Sequence, residues 1–408
     1  MEQHTARRRE YCLDGIKYLA CMIIFWTHYN GAFYSLCAQN PGLGPRMEWL
    51  LTHSPVKILT DSAMMLCIFL MISGYLAAAK RIRSFRELWQ ACLFRYLRFA
   101  LPFLFATLLV CVLWYTVGFR TQPAADILHN DWVRGYYVIP VTPFVAVREA
   151  LTLGSLANGP LWMMRHLAGA TCAVYVWSYV REKIPGIGKE TEHDGNGRMA
   201  EILFFILTFL LVAGFCTFAE RSLHWNGMYL VEACFLGVLM RVLPPVPEKV
   251  QERCRMLFSA LVILGIALEA QGYVTLLKMG FRQREGGIPP VFLWNIWYCM
   301  AFSFLFLWAI RYAGLPRRIL ETGLMRKLSQ ISFAVFLLHW PVIAAFSFRL
   351  LIRMVNTMSY NRVYVIILAL TTLAVTALGF LYEMTCGHLA ERLTKQLQNA
   401  VRRRWPVS

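Results

Sequence analysis

The sequence is poor in acidic residues and in charge overall. It has 23 Asp and Glu against 41 Lys and Arg, and charged residues make up 16% of its 408 positions, where soluble domains have about 25%. Its hydrophobic share of 58% exceeds the roughly 45–50% of soluble domains. This composition excludes an ordinary soluble enzyme and predicts a membrane protein. The net charge of +18 would suggest nucleic-acid binding in a soluble chain, so the positions of the basic residues decide its meaning.

Motifs of several common protein classes are also missing. The twelve Cys form no Cys-x-x-Cys pair, no His cluster has metal-ligand spacing, and no Gly-rich phosphate loop occurs, so we expect no metal and small, buried Cys. No His is followed five positions later by Asp, which excludes the His-x4-Asp motif of soluble glycerolipid-type acyltransferases. The sequence shows no internal repeat of the kind found in many transporters, and its first apolar stretch is too long for a cleavable signal.

Long apolar segments recur along the chain. A membrane-spanning helix needs roughly 20 apolar residues, and ten segments approach that length. They predict an all-α, polytopic membrane protein with about ten transmembrane helices. The predicted spans, in chain order, are 16–36, 58–79, 94–118, 161–180, 201–219, 228–243, 256–277, 290–310, 330–348 and 362–382.

The basic residues favour one side of the predicted membrane. With the N-terminus inside and the loops assigned alternately, 28 of the 41 Lys and Arg fall in inner loops and 12 in outer loops, while Arg165 lies within a span. This bias predicts that both termini are cytoplasmic and that the protein lies in the cell (plasma or inner) membrane. We expect one membrane domain over 1–392, a basic cytoplasmic tail at 393–408, and no nucleic-acid partner.

The first predicted span carries three ionisable residues, which are costly in a bilayer and suggest function. Lys17 and His28 are eleven positions apart, so they differ by about 20° around a helix and by about 16 Å along it. Asp14 falls on the same face. The pattern places an imidazole near mid-bilayer, above a cationic inner mouth, where it can exchange protons near neutral pH. Alternatively, His28 is a structural residue bonded to a neighbouring helix.

Two other sets of residues suggest a site. Arg95 and Arg98 share one helix face at the inner start of the third span, an arrangement that suits phosphate or pyrophosphate or that anchors the helix at the inner surface. His339 lies about ten residues into its span, again near the midplane. Either His28 or His339 is then the base, and the other is its positioning partner.

The outer stretch 119–160 is rich in aromatic residues, among them Trp132, Tyr136 and Tyr137. It is either a surface that faces a sugar or a loop in the headgroup belt. His166, near the outer end of the fourth span, either contacts an acceptor or is an interfacial residue. The inner loop near 181–200 is predicted to be a flexible connector. Three acidic residues in predicted spans have no role that the sequence indicates: Asp61, Glu232 and Glu269.

Several segments together, in order and over nearly the whole chain, resemble the acyltransferase-3 family of integral membrane acyltransferases. Each motif is weak alone, and their order on ten spans makes the resemblance specific. The matching segments are LDGIKYLA at 13–20 with His28, FLMISGYL at 69–76, Arg-x-x-Arg at 95–98 with Pro102, GPLW at 159–162, Ile331-Ser332 through His339-Trp340-Pro341, and Glu383.

The resemblance implies transfer of an acyl group, commonly acetyl, from cytoplasmic acyl-CoA to a hydroxyl of an envelope sugar, polysaccharide or lipid-linked saccharide. With the positions above, it implies catalytic roles for His28, Asp14 and His339, donor binding by Lys17, Arg95 and Arg98, and substrate contacts by Trp162, His166 and Ser73. His28 would act as general base or as transient acyl carrier. The family usually has Arg at the position of Lys17, so the charge is retained here but the bidentate fork is not.

Two other functions stay open at this point. The mid-bilayer histidines would also suit a transporter or a flippase of a lipid-linked glycan or small polar solute. Internal repeats with interrupted half-helices would favour that hypothesis, and the sequence shows none. A membrane sensing or assembly module is the third hypothesis, and a lack of any stability response to acyl-CoA would favour it. The sequence leaves the acceptor and the acyl group open.

Overall fold

A computed structural model describes residues 10–38, 54–60, 62–185, 187, 195–278 and 290–406. These residues are helical with no strand among them, which confirms the predicted all-α class. Parts of the sequence prediction lie outside the described residues: the tail before Glu10, Asp61, positions 186 and 188–194 of the predicted inner connector, and the side chain of Glu269.

Each of the ten predicted apolar segments overlaps a helix. Within the described ranges, two 3-10 turns, Pro55–Thr60 and Gly159–Trp162, and two π-helical turns, Ile343–Ser347 and Glu383–Gly387, precede or interrupt the longer helices. The helices are α1 (Tyr11–Ala38), α2 (Ser62–Ala77), α3 (Phe85–Thr116), α4 (Thr121–Leu128), α5 (Asp131–Arg134), α6 (Pro143–Thr152), α7 (Met163–Lys183), α8 (Gly195–Ser222), α9 (Tyr229–Val242), α10 (Glu248–Lys278), α11 (Pro290–Ile310), α12 (Leu315–Leu320), α13 (Gly323–Gln330), α14 (Ser332–Val342), α15 (Phe348–Met354), α16 (Tyr360–Tyr382) and α17 (His388–Arg404).

Four helical stretches of the described chain are long and apolar enough to cross a membrane: Phe85–Thr116, Gly197–Ser222, Ser332–Met354 and Tyr360–Arg404. The apolar helices Ser62–Ala77 and Cys299–Ile310 are shorter. Along α8, large apolar side chains stay uncovered, including Leu203, Leu207, Leu210 and Leu211. A helix that is apolar all round needs an apolar surrounding, so these helices indicate a membrane protein. The count of ten spans and the side of each terminus stay predictions.

The centre of the bundle is α2, which packs against α1, α9 and α11. It meets α9 at two glycines. A Cβ on Gly74 would overlap the carbonyl oxygen of Cys234, and a Cβ on Gly237 would overlap that of Met71. Small residues allow helix backbones to approach closely in membrane bundles, and here each of the two helices contributes one glycine to the crossing.

The rotation of α1 is fixed by hydrogen bonds to α16. The Tyr29 hydroxyl donates to the carbonyl of Tyr364 at 2.7 Å, and the Tyr364 hydroxyl donates to Asn30 Oδ1 at 3.0 Å. Because Tyr29 and Asn30 follow His28 directly, this pairing holds His28 toward α14, which packs along α1.

The predicted outer stretch is folded into α4, α5 and α6, with a small core of its own. Tyr137 stacks on Phe119 with ring centroids 3.8 Å apart. The Asn130 side-chain amide donates to the carbonyl of Gly31 at 2.8 Å, which ties α5 to the second half of α1. The stretch is therefore a structured cover over one end of the bundle.

The other end of the bundle is held by an ion pair. Arg311 donates through Nε to Glu10 Oε2 at 2.9 Å, and the Tyr75 hydroxyl donates to Glu10 Oε1 at 2.6 Å. Burial raises the pKa of Glu10, but its hydrogen bonds to Arg311 and Tyr75 and the nearby positive charge outweigh burial, so its pKa falls below the ordinary value of 4.5. The cluster joins the start of α1 to the ends of α2 and α11.

Candidate active site

The two mid-span histidines of α1 and α14 meet. His28 Nδ1 lies 3.0 Å from His339 Nε2, and the two rings are nearly parallel, with centroids 5.1 Å apart and an interplanar angle of 14°. His339 is fully buried, whereas His28 keeps part of its surface accessible. The structure thus brings together two residues that stand 311 positions apart in the sequence.

The hydrogen bonds assign the protons of this pair. His339 Nδ1 lies 2.7 Å from the carbonyl oxygen of Phe336, and a carbonyl only accepts, so Nδ1 of His339 carries a proton. In a neutral imidazole the other nitrogen is then an acceptor, so His339 Nε2 accepts from His28 Nδ1. The remaining nitrogen, His28 Nε2, therefore holds a lone pair. This arrangement of protons, inferred from the hydrogen-bond network, would suit His28 as a base and His339 as the residue that orients it.

Pro341 explains why a buried side chain from another segment, Asn158, bonds to the helix that carries His339. Proline has no N–H and leaves the carbonyl four residues earlier without its helical partner, which here is the carbonyl of Leu337. The buried amide of Asn158 donates to that oxygen at 2.8 Å. Asn158 thereby fastens the segment before α7 to the helix that carries His339. In the sequence, a Pro inside an apolar helix indicates that one backbone carbonyl needs a hydrogen-bond donor from elsewhere. It does not indicate which residue supplies that donor.

Aromatic rings from the cover lie over the histidine pair. Trp132 stacks on His28 with centroids 6.2 Å apart and an angle of 13°, and it packs against Trp340 at 4.9 Å. Tyr136 packs against Trp340 at 4.4 Å. The fully buried indole Nε1 of Trp340 has no hydrogen-bond partner among the described residues. The aromatic residues of the outer stretch thus contact the catalytic candidates directly.

At the other end of α1, Lys17 Nζ lies 3.0 Å from Asp14 Oδ1 in a partly buried ion pair. This contact agrees with a charge-balancing role for Asp14, since Asp14 and His28 are about 21 Å apart by helix rise.

Arg95 and Arg98 share a helix face, as predicted, but their surroundings differ. Arg98 is exposed, whereas Arg95 is largely covered and its guanidinium lies 4.4 Å from the centroid of the Phe99 ring. Its buried Nε has no hydrogen-bond partner in the described part of the chain. An unpaired donor on a buried cation is costly, so the surroundings of Arg95 suit an incoming anion.

The three predicted substrate contacts lie in two places. Ser73 is buried in α2, directly before Gly74 of the α2–α9 glycine crossing. Trp162 and His166 lie at the start of α7, with ring centroids 5.5 Å apart, and His166 Nε2 lies 3.0 Å from the carbonyl oxygen of Asn226.

A comparison with protein families explains the combination of the membrane bundle, the paired histidines and the basic end of α3. The model of the family described as an acyltransferase domain matches residues 10–380. The chain belongs to the acyltransferase-3 family. No curated protein and no solved structure matches it with statistical significance.

Family membership makes this chain a membrane acyltransferase, and the matched range contains the nine residues predicted to be catalytic, to bind the donor or to contact the substrate. Within the residues described, no group of three or more His, Cys, Asp or Glu is arranged to hold a metal ion. Asn158, Trp132 and Trp340 lie at the candidate site, and the sequence did not predict the contacts that bring them there, because those contacts join segments far apart in the chain.

Proposed function

We propose that this acyltransferase moves an acetyl group from cytoplasmic acetyl-CoA to a hydroxyl of a cell-envelope saccharide, in the cell membrane and with both termini in the cytoplasm. The observation that carries the proposal is the hydrogen bond between His28 Nδ1 and His339 Nε2. It leaves His28 Nε2 as the nitrogen that can take a proton, in a partly accessible position next to aromatic rings of the cover.

The reaction follows from that nitrogen. His28 Nε2 takes the proton of the acceptor hydroxyl, whose oxygen attacks the thioester carbonyl and forms a C–O bond. The tetrahedral oxyanion collapses, the C–S bond breaks, and the CoA thiolate takes the proton back from the imidazolium. His339 supports the imidazolium by accepting from His28 Nδ1, while its own Nδ1–H continues to donate to the carbonyl of Phe336.

The oxyanion needs a hydrogen-bond donor, and removal of such a donor commonly costs about 10²–10³ in rate. Trp340 carries a buried N–H without a partner among the described residues, and its ring centroid is 6.2 Å from that of His28. We assign the Trp340 indole to this role.

The donor enters from the basic end of the bundle. Acyl-CoA carries a pyrophosphate and a 3′-phosphate, and its extended pantetheine arm spans the distance between that end and His28. The unpaired Nε of Arg95, the exposed Arg98 and the partly buried Lys17 would bind these phosphates. Asp14 keeps Lys17 in place through their ion pair.

The proposal is tested with labelled acetyl-CoA, membranes that contain the protein and the envelope polysaccharide fraction of the same cells. Wild type is expected to label the polysaccharide, and His28→Ala is expected to do so about 10²–10⁴-fold more slowly. His388→Ala is the matched control, since His388 is exposed on α17, and it should retain wild-type transfer. Full transfer by His28→Ala at equal protein amount contradicts the role of His28.

The same lone pair would also serve a route through an acyl-enzyme, in which His28 Nε2 itself attacks the thioester. Rapid quenching with labelled donor and no acceptor separates the two routes. Label bound covalently to wild type and absent from His28→Ala indicates the acyl-enzyme, and CoA release that requires acceptor indicates direct transfer.

A further inference from the structure

A concave site opens on the side of the cover, along the first half of α7. It is a cavity of about 860 Å³ between the start of α7, the end of α8 and the loop that leads into α9. Pockets for small ligands commonly measure 300–1,000 Å³. The residues that define its character are Trp162, Arg165, His166, His224, Trp225 and Asn226; we call it the α7–α9 pocket.

We propose that the α7–α9 pocket binds the saccharide of the acceptor. This inference rests on the proposed function and adds the location and the chemistry of its acceptor site. Indole rings give flat apolar surfaces with a polar edge, which suits the C–H face of a pyranose, while imidazole, guanidinium and amide groups bond its hydroxyls. The side chain of Trp225 is 53% exposed, so a ligand has access to its ring.

The lining surface is mostly apolar, but the polar groups set within it argue against a lipid chain as the occupant. A lipid tail over Arg165, His166 and His224 would desolvate these groups without offering a hydrogen-bond partner, and such burial is costly. A sugar of a size that fits this cavity supplies several hydrogen-bond donors and acceptors. The apolar part of the lining, which includes Ala170 and Ala173, suits its ring carbons.

The loop into α9 is shaped around two of these side chains. Gly227 has a positive φ of 87°, and a Cβ there would stand 2.7 Å from the Trp162 ring and 3.3 Å from His166 Nε2. His224 also has a positive φ, of 57°, which is uncommon for a residue other than glycine. Backbone in such conformations persists where the surrounding contacts require it and is concentrated at functional sites.

The pocket is physically joined to the proposed catalytic pair. Asn158, bonded to the carbonyl of Leu337 on α14, stands four residues before Trp162. The 3-10 turn Gly159–Trp162 fills that interval, so at about 2 Å per residue the pocket wall begins about 8 Å from Asn158. In the proposed arrangement, a saccharide of two or three rings bound in the pocket presents one of its hydroxyls to His28.

The test varies the concentration of the envelope polysaccharide fraction in the labelled acetyl-CoA assay. Trp225→Ala removes a stacking surface, and Ala173→Phe fills the cavity. Both are expected to raise the half-saturating concentration of polysaccharide about tenfold or more and to leave KM for acetyl-CoA within twofold. Phe144→Ala is the matched control, because Phe144 is a 74% exposed aromatic residue on α6 outside the pocket lining, and both constants should stay at wild-type values.

Two further measurements keep the outcomes separable. The thermal unfolding midpoint in detergent shows whether each variant is folded, and His224→Ala, a change in an exposed loop, is a second removal variant should Ala173→Phe misfold. Folded pocket variants with the wild-type acceptor constant overturn the pocket assignment while leaving the proposed function intact. If wild type labels no polysaccharide, the proposed function itself fails, and the acceptor pocket fails with it.

Discussion

At the scale of single residues, His28 and His339 differ in burial and in hydrogen bonds, although the sequence places both near mid-span. His339 is fully buried and bonded at both nitrogens, to Phe336 and to His28. His28 is partly accessible and bonded through Nδ1. The sequence left open which of the two is the base. The bond to a backbone carbonyl puts a proton on His339 Nδ1, since only a protonated nitrogen can pair with that oxygen, and this supports our proposal that His28 is the base.

The positioning role of His339 predicts a graded response to substitution. His339→Leu removes the acceptor for His28 Nδ1 and should lower transfer by about 10²–10⁴. His339→Gln retains an acceptor oxygen and should recover about tenfold of that loss, with an unchanged KM for acetyl-CoA. Equal rates for the Leu and Gln variants, with equal unfolding midpoints, would mean that His339 acts only by filling space.

The Trp340 indole gives a second prediction at this scale. Trp340→Phe removes the unpaired N–H and keeps an aromatic ring against Trp132 and Tyr136. We expect kcat to fall about 10²–10³-fold and the half-saturating polysaccharide concentration to stay within twofold. A fall in acceptor affinity at constant kcat would instead place Trp340 in the binding surface.

At the scale of elements, the glycine crossing of α2 and α9 sets the distance between them. Gly74→Ala inserts a methyl group into the backbone of α9 and is expected to lower the unfolding midpoint strongly or to prevent accumulation of folded protein. Gly214→Ala on α8 is the control, because nothing lies within 4 Å of its Cβ position, and helix propensity there favours Ala by about 0.5–1 kcal/mol. A folded Gly74→Ala variant with the midpoint of Gly214→Ala would contradict the crossing.

Sequence periodicity predicts elements better than it predicts how they meet. Hydropathy locates a helix at each of the ten apolar segments, and the angular spacing of Lys17 and His28 correctly places them on one face of α1. The same reasoning treats Arg95 and Arg98 as equivalent, but Arg95 is largely covered and packs over Phe99, whereas Arg98 is exposed. The partner of the Leu337 carbonyl is likewise invisible in the sequence, because Asn158 is 179 residues away and is brought there by packing alone.

At the scale of the whole molecule, the Glu10–Arg311–Tyr75 cluster predicts how stability depends on pH. The pKa of Glu10 is lowered in the folded protein, so its stabilising effect is complete above the ordinary value of 4.5 and is lost as pH falls through the lower, folded pKa. Glu10→Gln is expected to cost about 1–3 kcal/mol at pH 7, because the Arg311 guanidinium loses its counter-charge. The difference in free energy of unfolding between wild type and Glu10→Gln should become smaller below pH 4.

Glu391→Gln is the control for that measurement. Glu391 pairs with Lys395 at 2.7 Å, but both side chains are mostly exposed, and exposed pairs contribute little to stability. The free energy of unfolding of Glu391→Gln should differ from that of wild type by less than about 0.5 kcal/mol, both at pH 7 and below pH 4. A Glu10→Gln variant that unfolds at the wild-type temperature at pH 7 would show that the cluster does not hold this end of the bundle together.

At the scale of the whole molecule, the distribution of the basic residues behind the +18 net charge predicts how this membrane acyltransferase is oriented in the membrane. Basic residues gather at the end of the bundle where the donor is proposed to bind, and the aromatic cover and the α7–α9 pocket lie at the other. The proposed chemistry joins the two ends through His28, so it requires donor and acceptor on opposite sides of the membrane.

The most direct measurement of that chemistry is mass spectrometry of envelope polysaccharides from three cell populations that lack the protein, contain wild type, or contain His28→Ala in equal amount. The account predicts an added acetyl mass on a saccharide hydroxyl only in cells with wild type. An acetyl substituent of equal abundance with His28→Ala, or no difference between cells with wild type and cells without the protein, would contradict it.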